Sequence, residues 1–282
     1  MERRHIEEKV FKVLMIAATL VILGSLFSVI VVILFKGVGA LSISMITQIP
    51  RGGYYLGKEG GILNAIVGSL YLAAGATCAA LLFSVPIAFS LQKEYLNPQV
   101  SNVVRLSLDV LWGVPSIIYG VFGFTIMLYL GLRASLLGGI VALTLLELPI
   151  MVRAMDEVLK MVPLELKEVS YTLGANRFET MFKVVSKQAL PGMMSAVILA
   201  FGRGIGDAAS ILFTAGYTDY IPHSLFEPVA SLPLAVFFQL GTPFPEVQER
   251  AYASALILLA MVLFLIVLSR LLTRRVTKYV VR

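Results

Sequence analysis

Residues Val13 to Phe35 read VLMIAATLVILGSLFSVIVVILF and contain no charged side chain. A helix of about 20 apolar residues crosses the hydrocarbon core of a bilayer, because each backbone amide must find its hydrogen-bond partner within the segment. The run is too long for the apolar core of a signal peptide, and no small-residue cleavage site follows it. We therefore predict that this stretch is a retained first transmembrane helix.

Five further segments are long and apolar enough to cross a bilayer, although most of them contain glycine, proline or a charged residue. The composition agrees, since 58% of the residues are hydrophobic and only 14% are charged. A soluble domain would space its apolar residues around a core, whereas here they form long blocks. The sequence predicts an all-α membrane protein with six transmembrane helices, the other five being Ile62–Leu91, Leu108–Leu130, Ser135–Ala154, Met193–Thr214 and Tyr252–Ser269.

Basic residues are distributed unequally between the two sides of the predicted helices. With the N-terminus inside, 17 of the 23 lysine and arginine residues fall on the inner segments and helix ends, five on the outer segments and one, Arg203, within a span. Because Lys and Arg accumulate on the cytoplasmic side of membrane proteins, both termini are predicted to be cytoplasmic. Orientation in the lipid bilayer thus explains the net charge of +6, and no nucleic-acid partner is expected.

One inner loop, residues 156–191, is too long for a simple connection between two spans. Pro163 suits a helix start, Gly174 suits a helix stop, and Asn176 with Glu179 has the spacing of a capping box. The loop is therefore predicted to contain two short helices. Each helix carries one apolar stripe, formed by Leu166, Val169 and Leu173 and by Phe178, Phe182 and Val185.

Three functions are compatible with this pair of helices. The loop could pack on its own neighbours as a structured connector, or it could carry a docking surface for a partner protein. A nucleic-acid-binding motif is disfavoured, because attachment to membrane helices at both ends leaves little freedom to enter a major groove. The pattern alone leaves the connector and the docking surface open.

The segment Glu168–Gly174 reads EVSYTLG and resembles the EAA motif of ABC-importer permeases, whose form is Glu-Ala-Ala, three residues, then Gly. Val169 and Ser170 replace the two alanines, and the motif's later Ile-x-Leu-Pro falls on Val184 to Lys187. In that family the motif docks a separate ATPase. The resemblance implies that the docking residues are Glu168, Ser170, Gly174 and Ala175.

Other segments resemble the phosphate-type branch of these permeases. The resemblance implies a permease subunit that translocates inorganic phosphate by alternating access. Its implied partners are an ATPase homodimer, a second homologous permease and an extracytoplasmic phosphate-binding protein. No cofactor is expected in this chain, since ATP and magnesium would bind to the ATPase. The matching pieces are Gly60–Ile62, Gly68–Leu70, Gly113–Gly120, Leu148–Arg153, Gly202–Asp207 and Ala230–Pro233.

With this resemblance the chain divides into regions that follow the predicted spans. Within the outer loop, residues 225–240 are apolar but interrupted by prolines, and we expect an interfacial or re-entrant segment there. The regions are a cytoplasmic N-terminus (1–12), a first span with its outer loop (13–61), a permease core (62–272) containing the inner loop 156–191 and the outer loop 215–250, and a basic cytoplasmic tail (273–282).

Arg203 and Asp207 are four residues apart in the fifth predicted span, so they would share a helix face and form an ion pair. Charges at bilayer depth are costly unless they are paired or face water, and they either line a pathway or lock helices together. A guanidinium suits phosphate, because its planar fork donates two parallel hydrogen bonds. Ser116 and Tyr119 either offer hydroxyls to the same pathway or gate, or pack within a kinked helix.

Glu147 and Arg153 are weaker candidates for a pathway in the fourth predicted span. Their six-residue spacing places them on different helix faces. Arg153 lies near the inner end of the span, where we expect its side chain to reach the lipid surface.

Catalytic motifs are poorly supported. Residues Gly52 to Lys58 match the start of a phosphate loop, but Glu59 stands where Ser or Thr must hold magnesium. The two histidines, His5 and His223, fall on opposite sides of the membrane, which excludes a histidine-based zinc site or catalytic triad. We predict a transport subunit that is not an enzyme. The alternatives are an ABC permease for sulfate, molybdate or phosphonate, and a secondary transporter or channel.

Overall fold

A computed structural model describes residues 2–51 and 59–276. The candidate phosphate-loop segment Gly52–Lys58 and the last six residues of the basic tail lie outside this part of the chain. Within it, regular structure is helical except for one antiparallel pairing of two-residue strands, β1 (Pro50–Arg51) and β2 (Glu59–Gly60). The prediction of an all-α protein is confirmed.

The helices follow the apolar blocks of the sequence. In chain order they are α1 (Glu2–Ala40), α2 (Ile43–Thr47), α3 (Leu63–Ser90), α4 (Pro98–Trp112), α5 (Ser116–Tyr129), α6 (Leu136–Lys160), α7 (Leu164–Thr172), α8 (Arg177–Glu179), a π-helix (Thr180–Val185), α9 (Ser186–Ile205), α10 (Leu232–Leu240) and α11 (Pro245–Val276). α8, the π-helix and α9 follow one another without a break, so Arg177–Ile205 is one helical stretch of 29 residues.

Five helical stretches among the described residues are long and apolar enough to cross a membrane. They correspond to predicted spans one, two, four, five and six. The third predicted span, Leu108–Leu130, is not one helix, because α4 and α5 are bent by 97° relative to each other. Six spans result only if this bent pair crosses the membrane as one broken helix.

The bend between α4 and α5 has a local cause in three residues. Gly113 caps α4 and donates its backbone N–H to the carbonyls of Asp109 and Val110. Pro115, which has no N–H to donate, stands directly before α5 and disfavours helical backbone at the residue that precedes it. Proline and glycine therefore end one helix and begin another here.

The fifth span also differs from its predicted bounds, Met193–Thr214. α9 ends at Ile205, and the residues that follow form turns. Three glycines, at 202, 204 and 206, weaken the helix at this point. Asp207 Oδ2 then accepts the backbone N–H of Ser210 at 2.8 Å, a local bond that competes with helix continuation.

Close packing of small residues holds the centre of the bundle, where α3, α6 and α9 meet. Ala73, Ala76 and Ala80 of α3 are fully buried. Gly75 of α3 lies against Ile140, and Gly139 of α6 lies against Leu72. Helices in lipid associate through such close contacts, because lipid tails are as apolar as leucine.

α1 and α10 are two of the helices that lie outside this centre. α1 is exposed over its most apolar stretch and packs on α11. α10 has nine residues and a length of about 14 Å, which is too short to cross a bilayer. It packs on α3 and α11, and the backbone N–H of Leu232 donates to Ser69 Oγ at 2.8 Å. The apolar segment 225–240 therefore contains a short helix packed against the bundle.

Candidate functional site: a helical loop and the intramembrane charges

Residues 164–185, which we call the loop unit, contain α7, α8 and the π-helix. α7 ends in a tight reversal at Gly174, whose φ of 85° is a left-handed conformation that favours glycine. The N–H of Gly174 donates to the Tyr171 carbonyl at 2.9 Å, and that of Ala175 donates to the Ser170 carbonyl at 3.1 Å. These two bonds form a Schellman motif, so the predicted helix stop at Gly174 is confirmed.

The second half of the loop unit begins with the predicted capping box. Asn176 Oδ1 accepts the N–H of Glu179 at 2.8 Å, and Glu179 Oε2 accepts the N–H of Asn176 at 3.2 Å. The two halves of the unit are joined by the hydroxyls of Ser170 and Thr180, which lie 2.9 Å apart and are buried. No pattern in the sequence predicted the π-helix, a form that often marks functional sites.

An open groove of about 520 Å³ runs along the loop unit between its two halves. Several apolar side chains beside it face outward, including Val169, Phe178 and Leu173, the last of which is 82% exposed. Such a patch indicates an interaction surface more than a connector that packs on its own neighbours. The groove is lined by Leu166, Val169, Ser170, Leu173, Gly174, Ala175, Glu179, Lys183 and Val184.

The structure brings three of the four predicted docking residues to this groove. Ser170, Gly174 and Ala175 line it, with Ser170 held in place by its bond to Thr180. Glu168 is exposed on α7 but does not line the groove. The geometry therefore favours the reversal around Gly174 as the centre of the surface.

The predicted ion pair between Arg203 and Asp207 is wrong. Among the described residues, no ion pair joins them, because α9 ends at Ile205 and Asp207 no longer shares a helix face with Arg203. Arg203 is instead exposed in the last turn of α9, while Asp207 bonds the backbone of Ser210.

Arg203 lies in a groove between α9 and α11 whose volume is about 470 Å³. Most of the lining is aliphatic, and Arg270 of α11 supplies a second positive charge. The guanidinium of Arg203 is exposed in this apolar groove and is able to exchange partners, because no carboxylate among the residues that the structure describes pairs with it. The remaining residues that line this groove are Ser195, Ile198, Leu199, Gly202, Val262, Ile266 and Ser269.

Ser116 and Tyr119 lie in the first turn of α5, at the bend from α4. The hydroxyl of Tyr119 is largely buried and donates to the Leu111 carbonyl of α4 at 2.8 Å. It therefore fastens the bend and is not free to meet a solute. Ser116 is partly buried at the start of α5.

Glu147 is fully buried at the centre of the bundle, where α3, α6 and α9 meet. Its Oε2 accepts the hydroxyl of Thr77 at 2.9 Å, and its Oε1 has no hydrogen-bond partner among the described residues. The same Oε1 lies against Gly204 of α9, where an added Cβ would overlap it. Glu147 is therefore a buried polar group at the helix contact, although the sequence made it only a weak candidate.

A charge cluster surrounds Asp156, which the sequence did not lead us to predict. Asp156 is fully buried and lies 2.8 Å from both Arg105 Nε and Lys160 Nζ, and 3.2 Å from Arg153 Nη1. The expected reach of Arg153 to the lipid surface is wrong, since its Nε also donates to Asp109 at 2.6 Å. The spacing of Arg153, Asp156 and Lys160 along α6 was the available signal.

Known proteins are similar to this chain over most of its length. Residues 80–278 match the sequence profile of the family described as binding-protein-dependent transport system inner membrane component. The phosphate transport system permease protein PstA of Yersinia pestis is 31% identical over 83% of this chain and 79% of its own length. PstA 1 of Mycobacterium tuberculosis (strain CDC 1551 / Oshkosh) is 36% identical over 72% of this chain and 67% of its own length.

The fold has counterparts among solved structures. A chain of the inward-facing MetNI methionine ABC transporter aligns with a TM-score of 0.64, covering 77% of this chain and 96% of that chain. At 18% sequence identity, this likeness concerns the fold alone.

Proposed function

The chain belongs to the family of binding-protein-dependent transport system inner membrane components, and from this premise we propose that it is a permease subunit of an ATP-driven importer of inorganic phosphate. The proposal rests mainly on the relatives named as phosphate transport permeases, which are 29–36% identical over 72–92% of the chain. The bundle is that of a multi-pass protein of the inner membrane.

The loop unit is the proposed docking site for the ATPase. Its groove is apolar and open, it is centred on the rigid reversal at Gly174, and it coincides with the segment that resembles the docking motif of the family. With both termini in the cytoplasm, as the distribution of lysine and arginine favours, this unit faces the compartment that contains ATP.

The proposed complex contains an ATPase homodimer, a second homologous permease and an extracytoplasmic phosphate-binding protein. ATP and magnesium would bind to the ATPase, so this chain needs no cofactor of its own. The exposed apolar faces of α1, α4 and α5 are consistent with burial against lipid and a second permease.

The helical stretch Arg177–Ile205 offers a direct mechanical route from the docking site to the membrane interior. It begins inside the loop unit and ends two residues beyond Arg203, at a length of about 43 Å for its 29 residues. A displacement of the loop unit by the ATPase would therefore move Arg203. In alternating access, this guanidinium would meet phosphate, or gate its passage, in one state and withdraw in the other.

Asp207 and Ser116 are further members of the proposed pathway or gate, and each lies next to a helix terminus. Asp207 is partly buried just beyond the end of α9, and Ser116 is partly buried at the bend into α5. Tyr119 would act by fixing that bend through its bond to Leu111.

Reconstitution of the complex tests the proposal. Proteoliposomes containing both permeases and the ATPase should take up radiolabelled phosphate when binding protein and ATP are supplied on their respective sides. Omission of the ATPase should abolish uptake. Uptake of sulfate or molybdate in place of phosphate would refute the substrate, and flux through this chain alone without nucleotide would indicate a secondary transporter or channel.

A further inference from the structure

The connection between α3 and α4, residues 91–97, lies directly against the loop unit; we call it the α3–α4 connection. Lys167 Nζ of α7 lies 2.8 Å from Glu94 Oε1. From the second half of the loop unit, Arg177 Nη1 donates to the Glu94 carbonyl at 2.9 Å, and the Tyr95 hydroxyl donates to the Arg177 carbonyl at 2.8 Å. Both halves of the loop unit are therefore bonded to the same short segment.

The ion pair between Glu94 and Lys167 is shielded from water. The Lys167 side chain is 11% exposed and that of Glu94 is 21% exposed. Burial alone would raise the pKa of Glu94, but the hydrogen bond and charge of Lys167 outweigh it and hold that pKa below its ordinary value. Glu94 is therefore ionised at neutral pH. A shielded pair with fixed geometry resists displacement more than a solvated surface pair does.

The other side of the α3–α4 connection is bonded to α4 and α6. Gln92 Nε2 donates to Asp156 Oδ1 at 3.0 Å. Arg105 of α4 donates from Nη2 to the Leu91 carbonyl at 2.7 Å and from Nε to Asp156 Oδ2 at 2.8 Å. A contiguous set of polar contacts thus runs from α7 through the α3–α4 connection to α4.

We propose that Glu94 and Lys167 are positioning residues that transmit displacement of the loop unit to α4 and, through the 97° bend, to α5. The inference rests on the proposed docking of an ATPase at the loop unit. α6 and α9 are joined to the loop unit by the chain itself, whereas α4 meets it only through non-covalent contacts. Breaking the pair therefore leaves docking intact but weakens the link between ATP hydrolysis and transport.

The experiment uses the whole complex in proteoliposomes, with Glu94→Gln and Lys167→Met as single variants. Three quantities are measured: ATPase recovered with the permeases, ATP hydrolysed, and radiolabelled phosphate taken up. We expect normal ATPase recovery and a fall of about tenfold in phosphate taken up per ATP hydrolysed. The double variant Glu94→Lys with Lys167→Glu re-forms the pair in reverse and should regain most of the lost ratio.

Lys9→Met is the control, since this exposed lysine of α1 forms no hydrogen bond or ion pair with residues 91–97 or with the loop unit among the described residues. Its ratio should equal that of the unaltered complex. An unchanged ratio in both single variants, or loss of ATPase recovery in them, would overturn the transmission role. If the single variants fail to accumulate, Glu94→Asp is tested in their place. Its shorter side chain should weaken the contact with Lys167 and still lower the phosphate taken up per ATP hydrolysed, and an unchanged value would overturn the transmission role.

Failure of the proposed function would look different. In that case the unaltered complex itself would show no ATP-dependent phosphate uptake, whatever residues occupy positions 94 and 167.

Discussion

At the scale of single residues, Glu147 limits which side chain the facing helix is able to carry. Its carboxyl group is fully buried, bonded on one oxygen by Thr77 and packed on the other against Gly204. Any Cβ at position 204 would overlap that oxygen. The glycine is therefore needed for close approach of α9 to α6, independently of its backbone conformation.

We predict that Gly204→Ala destabilises the protein by about 1–3 kcal/mol, because overpacking in a closed core forces neighbouring groups to move. Thermal unfolding of the purified protein in detergent measures the effect. Adding Glu147→Ala to Gly204→Ala should recover part of the loss, since the overlapping carboxyl group is then gone.

Gly202→Ala is the matched control in the same helix. An added Cβ at position 202 meets no atom within 4 Å. Alanine is the better helix former by about 1 kcal/mol, so this variant should be at least as stable as the unaltered chain. Equal stability of the two alanine variants would contradict the packing of Glu147 on Gly204.

Arg203 is exposed and unpaired by any carboxylate among the described residues, so its replacement should affect transport more than folding. We expect Arg203→Ala to lower phosphate uptake about 100-fold, by analogy with the loss of a single hydrogen-bond donor to an oxyanion in an enzyme. Arg203→Lys keeps the charge but loses the planar fork, so its phosphate uptake should lie between that of Arg203→Ala and that of the unaltered complex.

The control for Arg203 is Arg270→Ala, which removes the same side chain from the α11 side of the groove. Its uptake should exceed that of Arg203→Ala, measured at equal amounts of assembled complex. Normal uptake by Arg203→Ala at normal expression would exclude a role of this residue in the pathway.

At the scale of helices and turns, local signals predicted the ends of short helices better than the ends of long ones. Gly174 adopts the left-handed conformation that ends a helix, and Asn176 caps the next helix with its side chain, as the sequence predicted. Long apolar stretches do not show where a helix breaks, because hydropathy is an average over many residues. The break at Gly113–Pro115 and the end of α9 at Ile205 depend on glycine, proline and local bonding within otherwise apolar segments.

Leucine substitutions at Gly174 and at a second glycine separate the effect of backbone strain from the loss of docking. Gly131 has the same left-handed backbone, with φ of 68° against 85°, and an added Cβ meets no atom within 4 Å at either position. Leucine should therefore cost about 1–2 kcal/mol of backbone strain at both. Only Gly174→Leu fills the proposed docking groove, and only this variant should lose ATPase co-purification and phosphate uptake. Retention of both by Gly174→Leu would contradict the docking assignment.

At the scale of the whole molecule, the sequence predicted the helical bundle because length and hydropathy suffice to identify membrane helices. It could not predict which helices meet. The buried cluster at Asp156 joins α4 and α6 through residues that are 51 positions apart in the chain, Arg105 and Asp156. Such pairings follow from the packing of the bundle, where helices approach through alanine and glycine on facing surfaces.

The orientation of the bundle in the membrane can be tested with exposed cysteines. The loop between α5 and α6 and the loop unit lie at opposite ends of α6, so they should face opposite sides of the membrane. The single cysteine is first removed by Cys78→Ser. Two variants are then made in this background, Arg133→Cys and Lys187→Cys, each with one exposed thiol on a different predicted side of the membrane. An impermeant maleimide should label position 133 in intact cells and position 187 only after permeabilisation. The reverse pattern would place the loop unit outside the cell, away from ATP, and would remove the physical basis for docking an ATPase there.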